Sequence, residues 1–198
     1  MYKRFEFRGV CYMKKQLILL SAALILTLSG CGSSTHKEDS SSSNSSSSHA
    51  DMGEMNHSGS GEVPKELKEA QNPTFKVGSQ ALVQADHMPG MKGATATIVG
   101  AYDTIAYAVT YTPTTGGDKV PNHKWVIHEE LKAPQEEAYK PGDEVVLEAD
   151  HMKGMMGAKA AIDSAERTTV YMIDYTPTTG GAKVTNHKWV TESELTAK

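Results

Sequence analysis

The stretch Ile105-Ala106-Tyr107-Ala108-Val109-Thr110-Tyr111 alternates between two kinds of side chain and runs directly into Thr112-Pro113-Thr114-Thr115-Gly116-Gly117. Alternation with a period of two is typical of a β-strand, because successive side chains of a strand point to opposite faces. The proline and the Gly-Gly pair predict a hairpin turn after the strand. The stretch therefore predicts a β fold.

The strand and its turn belong to a tandem repeat. Residues 78–131 align without a gap on residues 142–195 at an offset of 64, and 30 of the 54 positions are identical. Such a relation predicts two copies of one supersecondary unit. We call these two segments copy 1 and copy 2.

Each copy contains further short strands separated by Gly and Pro. In copy 1 they are predicted at residues 81–83, 94–99, 105–111 and 124–126. Strands at this spacing indicate a small all-β domain, and their order is similar to that of SH3-like barrels. We therefore predict two tandem SH3-like small barrels, one over residues 62–133 with a short lead-in helix and one over residues 134–198. The expected core anchors are Trp125, Trp189, Tyr107 and Tyr171.

The first 30 residues have the pattern of a signal peptide. Lys14 and Lys15 precede an apolar run at residues 17–28, which is too short to span a membrane. The sequence Leu28-Ser29-Gly30-Cys31 resembles a bacterial lipobox. Cys31 is therefore predicted to carry lipid and to anchor the chain at the extracytoplasmic face of the cell membrane.

The segment between the leader and the repeats is predicted to be a flexible tether. Residues 31–61 are rich in Ser, His, Asp, Gly and Asn, and they cannot bury enough apolar surface to order themselves. Residues 1–12 are interpreted as an over-extended start, since Met13 would begin a natural leader. After residue 30 the chain has 15 basic and 23 acidic residues, a net charge of −8 that argues against nucleic acid as a partner.

Methionine and histidine are concentrated in two loops that occupy equivalent places in the repeat. Ala85-Asp86-His87-Met88-Pro89-Gly90-Met91-Lys92-Gly93-Ala94 in copy 1 returns as Ala149-Asp150-His151-Met152-Lys153-Gly154-Met155-Met156-Gly157-Ala158 in copy 2. Imidazole nitrogen and thioether sulfur suit a soft or borderline metal, and copper is the first candidate. Thioethers favour Cu(I), and the histidines would also allow Cu(II). Asp86 is expected to fix the tautomer of the neighbouring imidazole.

The predicted metal ligands fall into three groups. The first choices are the two loop sets, His87, Met88, Met91, His151, Met152 and Met155. Next come Met156 and the histidines of the two Asn-His-Lys-Trp motifs, His123 and His187. The tether adds His49, Met52, Met55 and His57. For each group the alternative is structural: methionines that cap a barrel, histidines satisfied by backbone, or drift in a solvated linker.

The sequence has no recognisable catalytic motif, so a non-enzymatic protein is expected. A cysteine zinc site is excluded, because Cys31 is predicted to carry lipid and Cys11 to lie in the leader. Glu129-Glu130 has the pattern of a solvated charge pair. The Tyr-Thr-Pro-Thr-Thr-Gly-Gly turn lacks the ending of a phosphate-binding loop, and a hairpin turn is preferred over an exposed glycan-binding surface.

The lipobox and the two sets of repeated motifs resemble the YdhK family of Gram-positive lipoproteins, over about residues 62–195. That family has two tandem copies of one small domain and includes surface copper-binding proteins of the CopL type. The resemblance implies extracytoplasmic copper binding, buffering or sequestration, a role in copper tolerance and a copper exporter as a partner. The alternative function is a module that binds cell wall or a partner protein, with structural Met and His turns.

Overall fold

A computed structural model describes residues 58–198, which lie within one compact unit. The strands are β1 (Lys68–Glu69), β2 (Gln80–Val83), β3 (Thr95–Tyr111), β4 (Val120–Ile127), β5 (Glu144–Val146), β6 (Lys159–Tyr175), β7 (Val184–Thr191) and β8 (Leu195–Ala197). Two 3-10 helices, His128–Glu130 and Glu192–Glu194, precede the last segment of each copy. The predicted signal peptide, Cys31 and the tether up to residue 57 lie outside the described residues.

The prediction of an all-β fold is confirmed. The strands form one eight-stranded antiparallel sheet with the central order β5-β6-β3-β2-β8, with β1 and β4 also pairing with β3 and with β7 pairing with β6. Residues 58–198 contain no α-helix. None of the described segments has the length and hydrophobicity of a membrane-crossing helix.

The predicted short lead-in helix is wrong. The chain turns after Pro64, where the amide of Leu67 donates to the Pro64 carbonyl, and β1 then pairs with β3. Leu67 is buried in a cluster with Trp125 and Trp189. A helix of fewer than about 12 residues is marginal without packing, so burial of Leu67 and pairing of β1 decide the conformation.

Two strands predicted in each copy are one long strand. Residues 94–99 and 105–111 of copy 1 both belong to β3, which has 17 residues. Its middle needs no turn, because β3 pairs with the equally long β6 from Ala96↔Tyr175 to Tyr111↔Ala160. The backbone groups of that middle segment therefore obtain their hydrogen bonds from β6 of the other copy on one side and from β1 on the other side.

The two long strands exchange halves between the copies. One hydrophobic core combines the first half of copy 1, from Ala81 to Ala101, with the second half of copy 2, from Tyr171 to Leu195. The other core combines the second half of copy 1, from Ile105 to Leu131, with the first half of copy 2, from Val145 to Ile162. Two small β units are present, but each is built from both copies.

The exchange is symmetric. Thr104 pairs with Thr168, its own equivalent in copy 2, so a pseudo-twofold axis passes between these residues. On one side of the axis Val83 pairs with Leu195, and on the other side Leu131 bridges to Leu147. Val83 corresponds to Leu147 and Leu131 to Leu195 at the offset of 64. The end of each copy therefore pairs with the beginning of the other copy.

The aromatic residues predicted as core anchors are buried. Tyr107 and Tyr171 lie one in each of the two cores, at 0 % exposure. Trp125 and Trp189 lie in a third cluster with Ala106, Ala108, Ile127, Val170 and Met172. Since this cluster takes side chains from β3, β4, β6 and β7, it joins the two halves of the molecule.

We expect Leu147→Ala to destabilise the whole molecule in a single transition. Leu147 is fully buried and belongs to a core that contains half of each copy, and Leu-to-Ala changes in cores cost about 2–5 kcal/mol. The measurement is denaturant unfolding followed by tryptophan fluorescence and by circular dichroism. Leu82→Ala, at a half-buried position, is the matched control and should cost less. Two separate transitions, one of them unchanged, would contradict the exchanged cores.

Candidate metal-binding cleft

A cleft of about 1400 Å³ is lined by residues of both copies. Seven predicted ligands are among the lining residues: His87, Met88, His123, His151, Met152, Met156 and His187. The exchange of halves thus brings together histidines and methionines that are as far as 100 residues apart in the sequence.

Each Met/His loop is held by the hairpin turn of the other copy. The amide of Thr178 donates to the Gly90 carbonyl at 2.9 Å, and the amide of Thr114 donates to the Gly154 carbonyl at 2.8 Å. The predicted hairpin turn after Tyr111 is confirmed, since residues 112–119 join β3 to β4. The Tyr-Thr-Pro-Thr-Thr-Gly-Gly turn also has a second role, because its backbone positions the loop that lines the cleft.

The loop histidines bond to carboxylates of the other copy, of which Glu130 is buried and Glu194 is half-buried. His87 Nε2 lies 2.7 Å from Glu194 Oε1, and His151 Nε2 lies 2.8 Å from Glu130 Oε1. A tryptophan indole N–H completes each arrangement: that of Trp125 donates to Glu194 at 2.8 Å. Each carboxylate therefore joins a histidine and a tryptophan that both come from the opposite copy.

Trp189 makes the equivalent contact in the second arrangement. Its indole N–H lies 3.2 and 3.1 Å from the two carboxylate oxygens of Glu130. The amide of Ile127 donates to the same carboxylate at 3.2 Å. Although burial opposes ionisation, the hydrogen bonds and the neighbouring imidazoles hold the pKa of both carboxyls, Glu130 and Glu194, below the ordinary value.

Two sequence interpretations of acidic residues need correction. Glu130 is not a solvated charge, since it is 5 % exposed and binds His151. The signal in the sequence was its repetition: Glu130 has Glu194 at the equivalent position, whereas Glu129 has Ser193. Asp86 was expected to hold His87, but it is exposed, and the half-buried Glu194 takes that role.

The second nitrogen of each loop imidazole is buried without a protein partner. Three buried ring nitrogens have no hydrogen-bond partner among the described residues: Nδ1 of His87, Nδ1 of His151 and Nε2 of His123. An ionised carboxylate accepts only, so the loop histidines donate through Nε2–H when neutral. Their Nδ1 atoms then carry lone pairs, which is the state a metal requires.

His123 sits on β4 beside a residue with left-handed backbone. Asn122 has a φ of 48°, a conformation that asparagine tolerates better than most residues. The centroid of the His123 ring lies 6.3 Å from the centroid of the His151 ring. The His123 ring is also edge-on to the Tyr111 ring, with centroids 5.8 Å apart. Burial, followed by the charges of His151 and His87, lowers the pKa of His123 to about 4, so this imidazole is neutral at ordinary pH.

The methionines divide into two classes. Met88 and Met152 are half-buried, pack against the edges of the two cores and line the cleft, and Met156 is 50 % exposed at its rim. Met91 and Met155 are instead fully buried in the two hydrophobic cores. Their placement is that of core residues, the structural alternative for these two positions.

The remaining predicted ligands differ in their placement. His187 is 7 % exposed, lines the cleft and lies edge-on to Tyr175. His49, Met52, Met55 and His57 lie outside the described residues. Ser58, directly after them, lies at the wall of the cleft and accepts a hydrogen bond from the amide of Thr185.

The cleft is strongly acidic. Eight carboxylates and two lysines are among its lining residues, a balance that concentrates cations. Within residues 58–198, no three His, Cys, Asp or Glu side chains are already gathered around one metal position. The donors that the cleft does gather are imidazoles with a buried nitrogen and thioethers, and this set fits a soft ion better than a hard one.

Comparison with known proteins places the chain in a family. The profile described as "Protein of unknown function (DUF1541)" matches twice, at residues 77–128 and 141–192. The chain belongs to the DUF1541 family. The "Uncharacterized protein YdhK" of Bacillus subtilis strain 168 is 57% identical over 188 residues, which are 93% of this chain and 90% of YdhK. The resemblance to YdhK that the motifs indicate is thereby confirmed.

Solved structures of DUF1541 proteins resemble the described fold. A crystal structure of the DUF1541 protein YdhK from B. subtilis is 64% identical and covers 73% of this chain and 99% of that one, with a TM-score of 0.71. The solution NMR structure of the YdhK C-terminal domain is 65% identical and covers 63% of this chain and 94% of that one, with a TM-score of 0.60. Fragments of YdhK of this extent therefore fold by themselves.

We expect Gly154→Ala to cost more stability than Gly116→Ala. Both glycines have a φ near +80°, which costs a residue with a side chain about 1–2 kcal/mol. A Cβ at Gly154 would also lie 2.6 Å from Thr115 Oγ1, whereas a Cβ at Gly116 would meet nothing within 4 Å. Overpacking should add about 1–3 kcal/mol at Gly154, measured by denaturant unfolding. Equal losses of stability in the two variants would show that Thr115 of the turn does not restrict the space at Gly154.

We also expect His123 to remain neutral in the folded protein until the pH approaches 4. The measurement is a proton NMR titration of its ring, assigned with the variant His123→Gln. Since the unfolded chain takes up this proton near 6.5 and the folded chain only near 4, His123 should lower the free energy of unfolding as the pH falls through that window. A midpoint near 6.5 in the folded protein would contradict the buried placement.

Proposed function

We propose that this protein binds copper in the cleft and serves as a non-enzymatic copper buffer. The observation that carries the proposal is the pair of loop imidazoles, each bonded through Nε2 to a carboxylate of the other copy and each with a buried Nδ1 that has no partner among residues 58–198. Carboxylate–histidine pairs of this kind orient metal ligands and raise their basicity. A purely structural histidine would normally use both nitrogens.

The other donors favour Cu(I). Met88 and Met152 lie beside these histidines in the sequence and line the same cleft, and Met156 stands at its rim. Thioether sulfur is soft and neutral, so it suits Cu(I), while the imidazoles would also hold Cu(II). When bound, copper would occupy nitrogen and sulfur donors, and the acidic rim would draw the cation in.

The cellular setting rests on the leader sequence. The lipobox ending at Cys31 supports a chain anchored by lipid to the extracytoplasmic face of the membrane. Thioether and imidazole stay available in an oxidising compartment, where thiol ligands would be lost to disulfides. A copper site there would limit the free copper at the cell surface and contribute to copper tolerance, with a copper exporter as the natural partner.

The test is a Cu(I) competition titration of residues 58–198 with methionine variants. Met88→Leu with Met152→Leu should weaken Cu(I) binding by about tenfold or more, which corresponds to about 1.4 kcal/mol. The matched control is Met91→Leu with Met155→Leu, which keeps volume in the cores and should leave the affinity unchanged.

Two results would contradict this assignment. Absence of copper from the parent fragment would remove the proposed function and favour the cell-wall or partner-binding alternative. Loss of affinity in the core pair, with none in the cleft pair, would move the ligands out of the cleft.

A further inference from the structure

Two histidines from different copies lie close together in the cleft. The ring centroids of His151, on the loop of copy 2, and His123, on β4 of copy 1, are 6.3 Å apart, with 37° between the ring planes. Metal–nitrogen bonds are about 2.0 Å long and each nitrogen lies about 1.2 Å from its ring centroid, so two nitrogens turned toward one shared ion place their centroids about 6.4 Å apart. The observed separation matches that spacing. Exchange of halves between the copies produces this approach, because it places the loop of one copy beside β4 of the other.

Each of these rings has a buried nitrogen available. Nδ1 of His151 and Nε2 of His123 are both shielded from solvent and have no hydrogen-bond partner among residues 58–198. A buried polar atom without a hydrogen-bond partner destabilises the folded protein. One ligand bound by both nitrogens would satisfy both of them.

Glu130 determines which nitrogen of His151 is free. Its Oε1 atom lies 2.8 Å from His151 Nε2, and Trp189 and the Ile127 amide hold the carboxylate in place. With Nε2–H donating to Glu130, His151 presents the lone pair of Nδ1. Glu130 comes from copy 1, as His123 does, so copy 1 supplies both the second ring and the group that orients the first.

We propose that His151 Nδ1 and His123 Nε2 hold one copper ion between the two copies, with Glu130 as the positioning residue for His151. The inference rests on the proposed function and names the ligands of its site. It differs from the arrangement that the repeat suggests, in which the loop and the Asn-His-Lys-Trp motif of one copy would bind together. His87 of copy 1 has its own carboxylate, Glu194, which comes from copy 2.

The test compares histidine variants of residues 58–198 in a Cu(I) titration. Glutamine is used as the replacement because it keeps much of the volume and its amide oxygen is a poor donor for Cu(I). His123→Gln and His151→Gln should each lose one equivalent of copper, and the double variant should also lose only one. His87→Gln should keep that equivalent. His128→Gln is a control outside the cleft, where His128 bonds to Tyr107 and the Gln135 carbonyl.

Several patterns would overturn the shared site. Loss of the same equivalent in His87→Gln and His123→Gln, with retention in His151→Gln, would place the ion within copy 1. Loss of two equivalents in the His123 and His151 double variant would mean that the two rings bind different ions. A parent fragment without copper would be a separate result, since it would overturn the proposed function itself.

The positioning role of Glu130 has its own readout, which needs no copper. Long-range nitrogen–proton NMR of the metal-free parent should show His151 protonated on Nε2 and bare on Nδ1; the opposite tautomer would overturn the assignment. In the Cu(I) titration, Glu130→Gln should weaken the site by about 10–100-fold, as is usual for partners of metal-bound histidines. The matched control is Glu148→Gln, an exposed carboxylate that lines the same cleft and should have little effect.

Discussion

The pairing of β3 with β6 is the constraint on which the rest of the structure depends. These two 17-residue strands run antiparallel along nearly their whole length, with Thr104 opposite Thr168 at the pseudo-twofold axis. Neither copy forms a core by itself. The first part of each long strand lies in one core and the remainder lies in the other core, so each core contains half of each copy. The two copies thus form one interlocked structure, and not two separate small domains in tandem.

The cleft follows from that interlocking. Once the halves are exchanged, the loop of each copy contacts the hairpin turn of the other, and the glutamate near the end of each copy bonds to the loop histidine of the other copy. Both histidine–glutamate pairs of the cleft therefore cross between the copies. An ion bound by such residues would also tie the two copies together, so binding and stability should be linked.

Much of this could be predicted from the sequence, and the remainder could not, for physical reasons. Alternation and turn residues indicate strands and the hairpin after Tyr111, because both depend on local geometry. The exchange of halves leaves no local trace, since a strand has the same alternation whether it packs within its copy or across to the other. The continuous β3 was predicted as two strands, because the segment around Gly100 and Asp103 has the composition of a turn. This segment stays extended because its backbone pairs with β6 and with β1.

The chemistry of the site shows the same division. Clustering of His and Met in equivalent loops pointed to His87, Met88, His151 and Met152, all of which line the cleft. It could not separate Met88 from Met91, because their burial depends on the complete fold: Met91 is fully buried in the core, whereas Met88 packs against the edge of that core and also lines the cleft. Glu130 was missed because burial of a carboxylate depends on partners distant in sequence, here His151 and Trp189.

The most direct test of the account is a crystal structure of residues 58–198 loaded with Cu(I), with anomalous diffraction measured on both sides of the copper absorption edge. The account predicts an anomalous peak in the cleft between His123 Nε2 and His151 Nδ1, bonded to one residue from each copy. A peak bonded to His87 and His123 of copy 1 alone, a peak in the cores beside Met91 or Met155, or no peak would contradict it.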